Sequence, residues 1–297
     1  MKKRGLIVLG VLIAGLAGAA VILLSADQKK ERKGFSVFSW NEAIMTEPEE
    51  ALGEYLEQAD ITRVFQEFTQ NSLESGEAED FIRRMKSRDI EVFALTGNAE
   101  WALEPEALLD EMERIAEYNQ EKDSGGRIPG IIVDVEPYLL PAWEEGDDAR
   151  AELMNSYLEC MERAYEYARQ NDLIFWVCIP TFYDATCDEI LESLIADACD
   201  GTAVMNYNRT DEYLQMAKEV GYAREYGKQI LCIYELQQPG YHDLEEINTY
   251  YGHGLEVLWQ SAERLERQFG YEKLEFAYHY YSPLKEMLEE REQTGTD

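Results

Sequence analysis

Two acids two positions apart, Asp134 and Glu136, are the residues best placed to do chemistry. They close the segment Gly130-Ile-Ile-Val-Asp134-Val-Glu136-Pro137-Tyr138. Side chains of an extended chain alternate sides, so both acids share one face while Val133 and Val135 take the other. Valines belong in a buried strand–helix interface, which sends both carboxyls to the opposite side. Two carboxylates held close in a partly buried place repel each other. One is then expected to keep a proton near neutral pH, which is what a general acid requires. The plain alternative is a structural pair bonded to backbone amides or to a nearby Lys or Arg. A third acid, Glu235, ends the apolar run Gln229-Ile-Leu-Cys-Ile-Tyr-Glu235 and is followed by Leu236-Gln237-Gln238.

These acids need a frame. From residue 34 onward, short β-branched and aromatic runs alternate with longer amphipathic, acid-rich stretches. The strand candidates are Phe35–Trp40, Ile61–Gln66, Ile90–Leu95, Gly130–Glu136, Leu173–Ile179, Gly201–Tyr207, Gln229–Glu235 and Leu274–Tyr280. A helix is predicted over 148–170, where Ala151, Met154, Leu158, Met161, Tyr165 and Ala168 recur at three- and four-residue spacing. Eight strand–helix units match the size of a (β/α)8 barrel, about 250 residues. No Gly-rich nucleotide loop follows an early strand, which argues against a doubly wound sheet. The fold class is therefore α/β, a TIM barrel preceded by one N-terminal transmembrane signal-anchor helix. Barrel chemistry gathers at the C-terminal strand ends. Asp134, Glu136 and Glu235 would then line one mouth. Glu136 and Glu235 suit a pair of carboxyls roughly 5–5.5 Å apart, one acid and one nucleophile. Otherwise Glu235 orients a substrate hydroxyl or a tyrosine.

The chain has 297 residues with 27 Lys and Arg against 60 Asp and Glu. Residues 1–33 hold seven basic and two acidic residues, which leaves a net charge of −38 on 34–297. Nucleic acid is excluded, because phosphate binding needs clustered Lys and Arg. With 11% aromatics the body has material for a large core, so the acidity does not signal disorder. Gly5 to Leu24 carries no charged side chain and is long enough to span a bilayer. Residues 1–33 read as a cytoplasmic tip, transmembrane anchor and tether, and 34–297 as one barrel domain, frayed from Glu289. Membrane contact is confined to that anchor, and the barrel is expected outside the cytoplasm. Cleavage near Ser25-Ala26 and secretion is the alternative. The five Cys and three His have no metal-ligand spacing, so no metal and no cofactor is expected. Cys178 and Cys232 read as core residues, and Cys187–Cys199 is left open as a disulfide.

The sixth strand ends in Met205-Asn206-Tyr207-Asn208. Together with Asp134-Val-Glu136 ending the fourth strand, this resembles family 18 glycoside hydrolases, the chitinases and endo-β-N-acetylglucosaminidases. The resemblance implies Glu136 as proton donor and Asp134 as the residue orienting the substrate's own N-acetyl group. Tyr207 and Asn208 would hold that acetamido group, with Met205 beside them, and the reaction would be substrate-assisted retention. Pro129 and Ile132 stand where the family's motif carries its two outer Asp residues, and Asn208 where it carries Asp. Aromatic and polar residues near other strand ends suit a sugar surface: Trp40, Trp101, Tyr183 with Asp184, Gln237 and Tyr280. The expected partner is a carbohydrate polymer or oligosaccharide containing amino sugars. A catalytically inactive barrel that binds glycan or protein at the cell surface is the alternative.

Overall fold

The β-branched and aromatic runs become eight parallel strands in a computed structural model that describes residues 34–294. They are β1 (Phe35–Ser39), β2 (Ile61–Glu67), β3 (Glu91–Thr96), β4 (Gly130–Val133), β5 (Ile174–Pro180), β6 (Gly201–Met205), β7 (Gln229–Glu235) and β8 (Leu274–His279). Each pairs with its sequence neighbour, and β8 returns to β1 through Phe35↔Phe276 and Val37↔Tyr278. The sheet is a closed barrel with no open edge. The principal helices that follow the strands are α1 (Glu49–Gln58), α2 (Glu77–Lys86), α3 (Pro105–Gln120), α4 (Asp147–Gln170), α5 (Asp188–Asp197), α6 (Ala217–Tyr226), α7 (Leu255–Phe269) and α8 (Tyr281–Thr294). Helix α4 shows why they form. Met154, Met161 and Ala168, with Leu153, Tyr157, Cys160 and Ala164, make one buried stripe.

Alternation along the strands divides the core in two. Phe38, Phe65, Phe93, Leu95, Ile132, Trp176, Cys178, Ala203, Leu231, Ile233 and Ala277 fill the barrel axis. Their neighbours, such as Val64, Val92, Val133, Val177 and Tyr278, pack outward under the helices. Small residues make room for large ones within a layer. A Cβ on Gly201 would lie 2.7 Å from the Trp176 ring. At the N-terminal end the axis is closed by Arg63, which bonds Glu275 at 2.7 Å and Glu91 at 2.9 Å. Its guanidinium lies 5.1 Å from the Phe93 ring centroid.

Several boundaries differ from the sequence reading. β4 stops at Val133 rather than Glu136, because its partner β3 ends at Thr96, which pairs Val133. One further backbone bond, from the Asp134 amide to the Thr96 carbonyl at 2.9 Å, carries the extended chain onward. Pro137 then opens a 3₁₀ turn, Pro137–Leu139. β6 likewise stops at Met205, not Tyr207. The segment expected to fray from Glu289 continues α8, and Glu289 accepts a hydrogen bond from the Tyr55 hydroxyl at 2.9 Å. All five cysteines are free, so Cys187 and Cys199 are not bridged. The predicted anchor over 5–24 lies outside the described residues. Among those described, no helix is long and apolar enough to cross a membrane.

Glu219 on α6 is fully buried, and its carboxylate oxygens have no hydrogen-bond partner from another residue. Burial pushes its carboxyl up to about 8. An unfolded chain ionises this group near 4.5. The folded state therefore binds more protons in between, and stability falls as pH rises from about 4.5 through about 8. Glu219→Gln should flatten that part of the curve. Denaturant unfolding of both proteins across this pH range checks it, and parallel curves would contradict the assignment.

Candidate active site

Strand alternation decides which side chains reach the mouth. On β4 the inward parity of Ile132 continues to Asp134 and Glu136 past the strand end, while Val133 and Val135 are buried under the helices. On β7 the inward series Leu231, Ile233 ends at Glu235. On β8 the series Glu275, Ala277 ends at His279, and register pairs Glu235 with His279. Trp40, Met205, Tyr207 and Tyr280 pack partly buried on the same axial cluster. The structure thus gathers Asp134, Glu136, Glu235, Trp40, Met205, Tyr207 and Tyr280 at one end of the barrel. Gly97 is required here. A Cβ on it would lie 2.3 Å from the Asp134 carbonyl oxygen, so any side chain would push the acid's backbone aside.

The three acids are in different electrical states. Burial pushes Asp134 up to about 6, opposed by His279. Its Oδ1 is sealed from water with no hydrogen-bond partner. Burial, reinforced by the Asp134 charge, pushes Glu136 up to about 7, again opposed by His279. Glu136 accepts a hydrogen bond from the Tyr138 hydroxyl. Tyr138 in turn packs edge-on against Phe182 at 5.3 Å and Trp143 at 6.3 Å. Such a pair holds one proton near neutrality.

Glu235 is the opposite case. Its Oε1 accepts from the backbone amides of Leu236 at 2.8 Å and Gln237 at 2.7 Å. Its Oε2 meets His279 Nδ1 at 2.7 Å and the Gln237 side-chain amide at 3.3 Å. Burial disfavours the charge, yet the His279 ring and the Gln237 donors hold Glu235 below the usual carboxylate range. With both oxygens hydrogen-bonded and the residue 2% exposed, Glu235 is placed as an anchor for His279. Gln237 serves Glu235.

His279 is the site residue that the sequence reading passed over. Its Nε2 accepts from the Trp40 indole N–H at 3.3 Å, and its ring stacks on Tyr207 at 5.9 Å and meets Tyr280 at 5.3 Å. The missed signal was parity: Leu274, Phe276 and Tyr278 form the outward set of β8, so Ala277 and His279 face the axis.

Other expected residues lie elsewhere. Tyr183 is 1% exposed in the layer beneath the helices, packed among Tyr138, Trp143, Tyr157 and Phe182, because its strand has already ended at Pro180. Trp101 sits on a 3₁₀ turn against the same outer layer. The Asn208 Oδ1 accepts from the Thr210 amide at 3.1 Å and its hydroxyl at 2.7 Å, which turns the amide into its own loop. Asp184 lies on the short helix Tyr183–Thr186 after β5, where its backbone carbonyl accepts from Lys218 Nζ at 3.3 Å. A cavity of about 800 Å³ opens at the other end of the barrel, lined by residues that include Lys86, Glu91, Arg127 and Ile174. It collects strand beginnings rather than strand ends, where barrel residues serve stability.

No protein-family model and no curated protein sequence matches the chain. Solved structures do match in fold. A GH18 chitinase from Pseudoalteromonas aurantia superposes with a TM-score of 0.51 at 12% identity, over 87% of this chain and 99% of that one. The PgaB (BpsB) glycoside hydrolase domain from Bordetella bronchiseptica gives 0.51 at 10%, over 88% and 98%. A xylose isomerase domain protein from Planctomyces limnophilus gives 0.52 at 14%, over 89% and 97%. The barrel is thus similar to GH18 and other TIM-barrel structures, and at these identities the likeness is one of fold.

Holding two raised acids costs the fold stability. An unfolded chain ionises them near 3.8 and 4.5. The penalty therefore grows as pH rises from about 4 through about 7 and is absent below. Asp134→Asn and Glu136→Gln should each raise the melting temperature by several degrees near pH 8 and by little near pH 4. Thermal unfolding at the two pH values checks this, and an equal shift at both would contradict it.

Proposed function

We propose that the chain is a glycoside hydrolase of β-linked N-acetylhexosamine glycans, with Glu136 as proton donor and the sugar's own N-acetyl group as nucleophile. The pair at the mouth carries this reading: burial, reinforced by the Asp134 charge, pushes Glu136 up to about 7, and both side chains remain partly exposed. The partly exposed Asp134 carboxyl is placed to accept a substrate acetamido N–H and so to aim the acetamido oxygen at the anomeric carbon. That oxygen attacks as the Glu136 proton passes to the leaving glycosidic oxygen. Water opens the resulting oxazolinium ion and returns a proton to Glu136, with net retention. Tyr207 borders the same space, and Trp40 offers a ring for a sugar face. The burial of Glu235, 2% exposed, favours the acetamido group over a carboxylate nucleophile. The barrel's likeness to a GH18 chitinase and to the PgaB glycoside hydrolase domain is in keeping with this class.

The candidate substrates are peptidoglycan, chitin-like oligomers and poly-N-acetylglucosamine. The net charge of −38 on 34–297 favours a partly deacetylated, cationic glucosamine chain. The apolar run 5–24 supports an extracytoplasmic body on a single-pass anchor, with secretion after cleavage as the alternative. A glycan-binding barrel without turnover is the second reading. Ile132 on the axis below Asp134 and the inward-turned loop amide of Asn208 favour it.

Assay of an N-acetylated and partly deacetylated glycan panel separates the two. Glu136→Gln should lose about 10²–10⁴-fold in kcat while retaining glycan binding. Glu235→Gln should fall well short of the roughly thousand-fold loss expected of a nucleophile. Hydrolysis that survives Glu136→Gln removes that residue as the acid. Binding without cleavage by the parent chain supports the second reading. Activity on a cationic glucosamine polymer should fall as salt rises, and a flat response removes the charge argument.

A further inference from the structure

His279 is under two competing demands. Its Nδ1 lies 2.7 Å from Glu235 Oε2, and its Nε2 lies 3.3 Å from the Trp40 indole nitrogen. An indole N–H only donates, so Nε2 must be the lone-pair nitrogen in this arrangement, with the ring neutral and its proton on Nδ1. Every acid that faces the ring favours the opposite state. Glu235 from β7 and Asp134 and Glu136 beyond β4 each draw His279 toward its charged form, against burial. Tyr207, Tyr280 and Phe38 complete its surroundings as rings. A second ring proton would set Nε2–H against the Trp40 N–H, donor against donor, and that hydrogen bond would be lost.

We propose that His279 is a positioning residue whose charge state links the acid pair to Trp40. Neutral, it holds Trp40 at the mouth through Nε2. Protonated from solvent, it releases Trp40 and offsets negative charge on Asp134 and Glu136. Glu235 sets the balance between the two states by keeping its own charge beside Nδ1. The axial layer below Asp134 holds Ile132, Cys178 and Ala203, which supply no counter-charge, so this task falls to His279. The role of Trp40 as a sugar platform rests on the glycosidase reading. The link between His279 and Trp40 does not.

The test needs no turnover. Trp40 emission is isolated as the difference between the parent and Trp40→Phe over about pH 4 to 9, and His279 is titrated by side-chain NMR. The two transitions should coincide. Glu235→Gln should move both to lower pH, since it removes the neighbouring negative charge, and His279→Gln should abolish the emission change. In the enzyme, the same ionisation should appear in the pH profile of kcat/KM for the parent and vanish in His279→Gln. Flat Trp40 emission while His279 titrates, or a midpoint unmoved by Glu235→Gln, overturns the proposal. Loss of glycosidase activity in every assay would overturn the functional reading and leave this link standing.

Discussion

In a closed parallel barrel, every second side chain of every strand points at one axis, and closure removes the freedom to slip. A one-residue shift in β8 would carry Glu275, Ala277 and His279 outward and drive Leu274, Phe276 and Tyr278 into an axis already filled by Phe38, Phe65 and Trp176. Register therefore holds the top layer as firmly as it holds the core. The same rule that closes one end with Arg63 between Glu91 and Glu275 presents Asp134, Glu136, Glu235 and His279 at the other. The site is the last layer of the packing rather than an addition to it.

That layer divides its acids by environment. Glu235 receives two backbone amides, a side-chain amide and a histidine, and keeps its charge although it is 2% exposed. Asp134 and Glu136 lie close by in a wall with few donors, and burial favours their neutral forms. Carboxyls in one mouth so come to differ in proton affinity, which is the physical basis of an acid that can give a proton beside another that can hold a substrate group. The expected cost is reduced stability at neutral pH. The buried Glu219 on α6 imposes the same kind of cost.

Most of the architecture was legible in the chain, because eight apolar runs at regular spacing admit few topologies. The acid pair was legible too, since Val133 and Val135 mark the buried side of an alternating segment. The end of β4 was not, because it depends on where β3 stops and on Pro137. The part played by Glu235 was hidden because its partner lies 44 residues onward and is brought beside it by strand register. Tyr183 shows the limit of reading aromatics after strands as ligand surfaces: past the strand end, loop geometry replaces alternation and its ring packs beneath the helices, whereas Trp101 stays partly exposed on its 3₁₀ turn.

The mouth keeps a proton on the Asp134–Glu136 pair near neutral pH. Carboxyl-carbon NMR of the unliganded protein, with Glu136 assigned through Glu136→Gln, measures this directly. The Glu136 titration should centre at about 7 and move downward in Asp134→Asn. A midpoint near the ordinary 4.5, unmoved by that substitution, would contradict it.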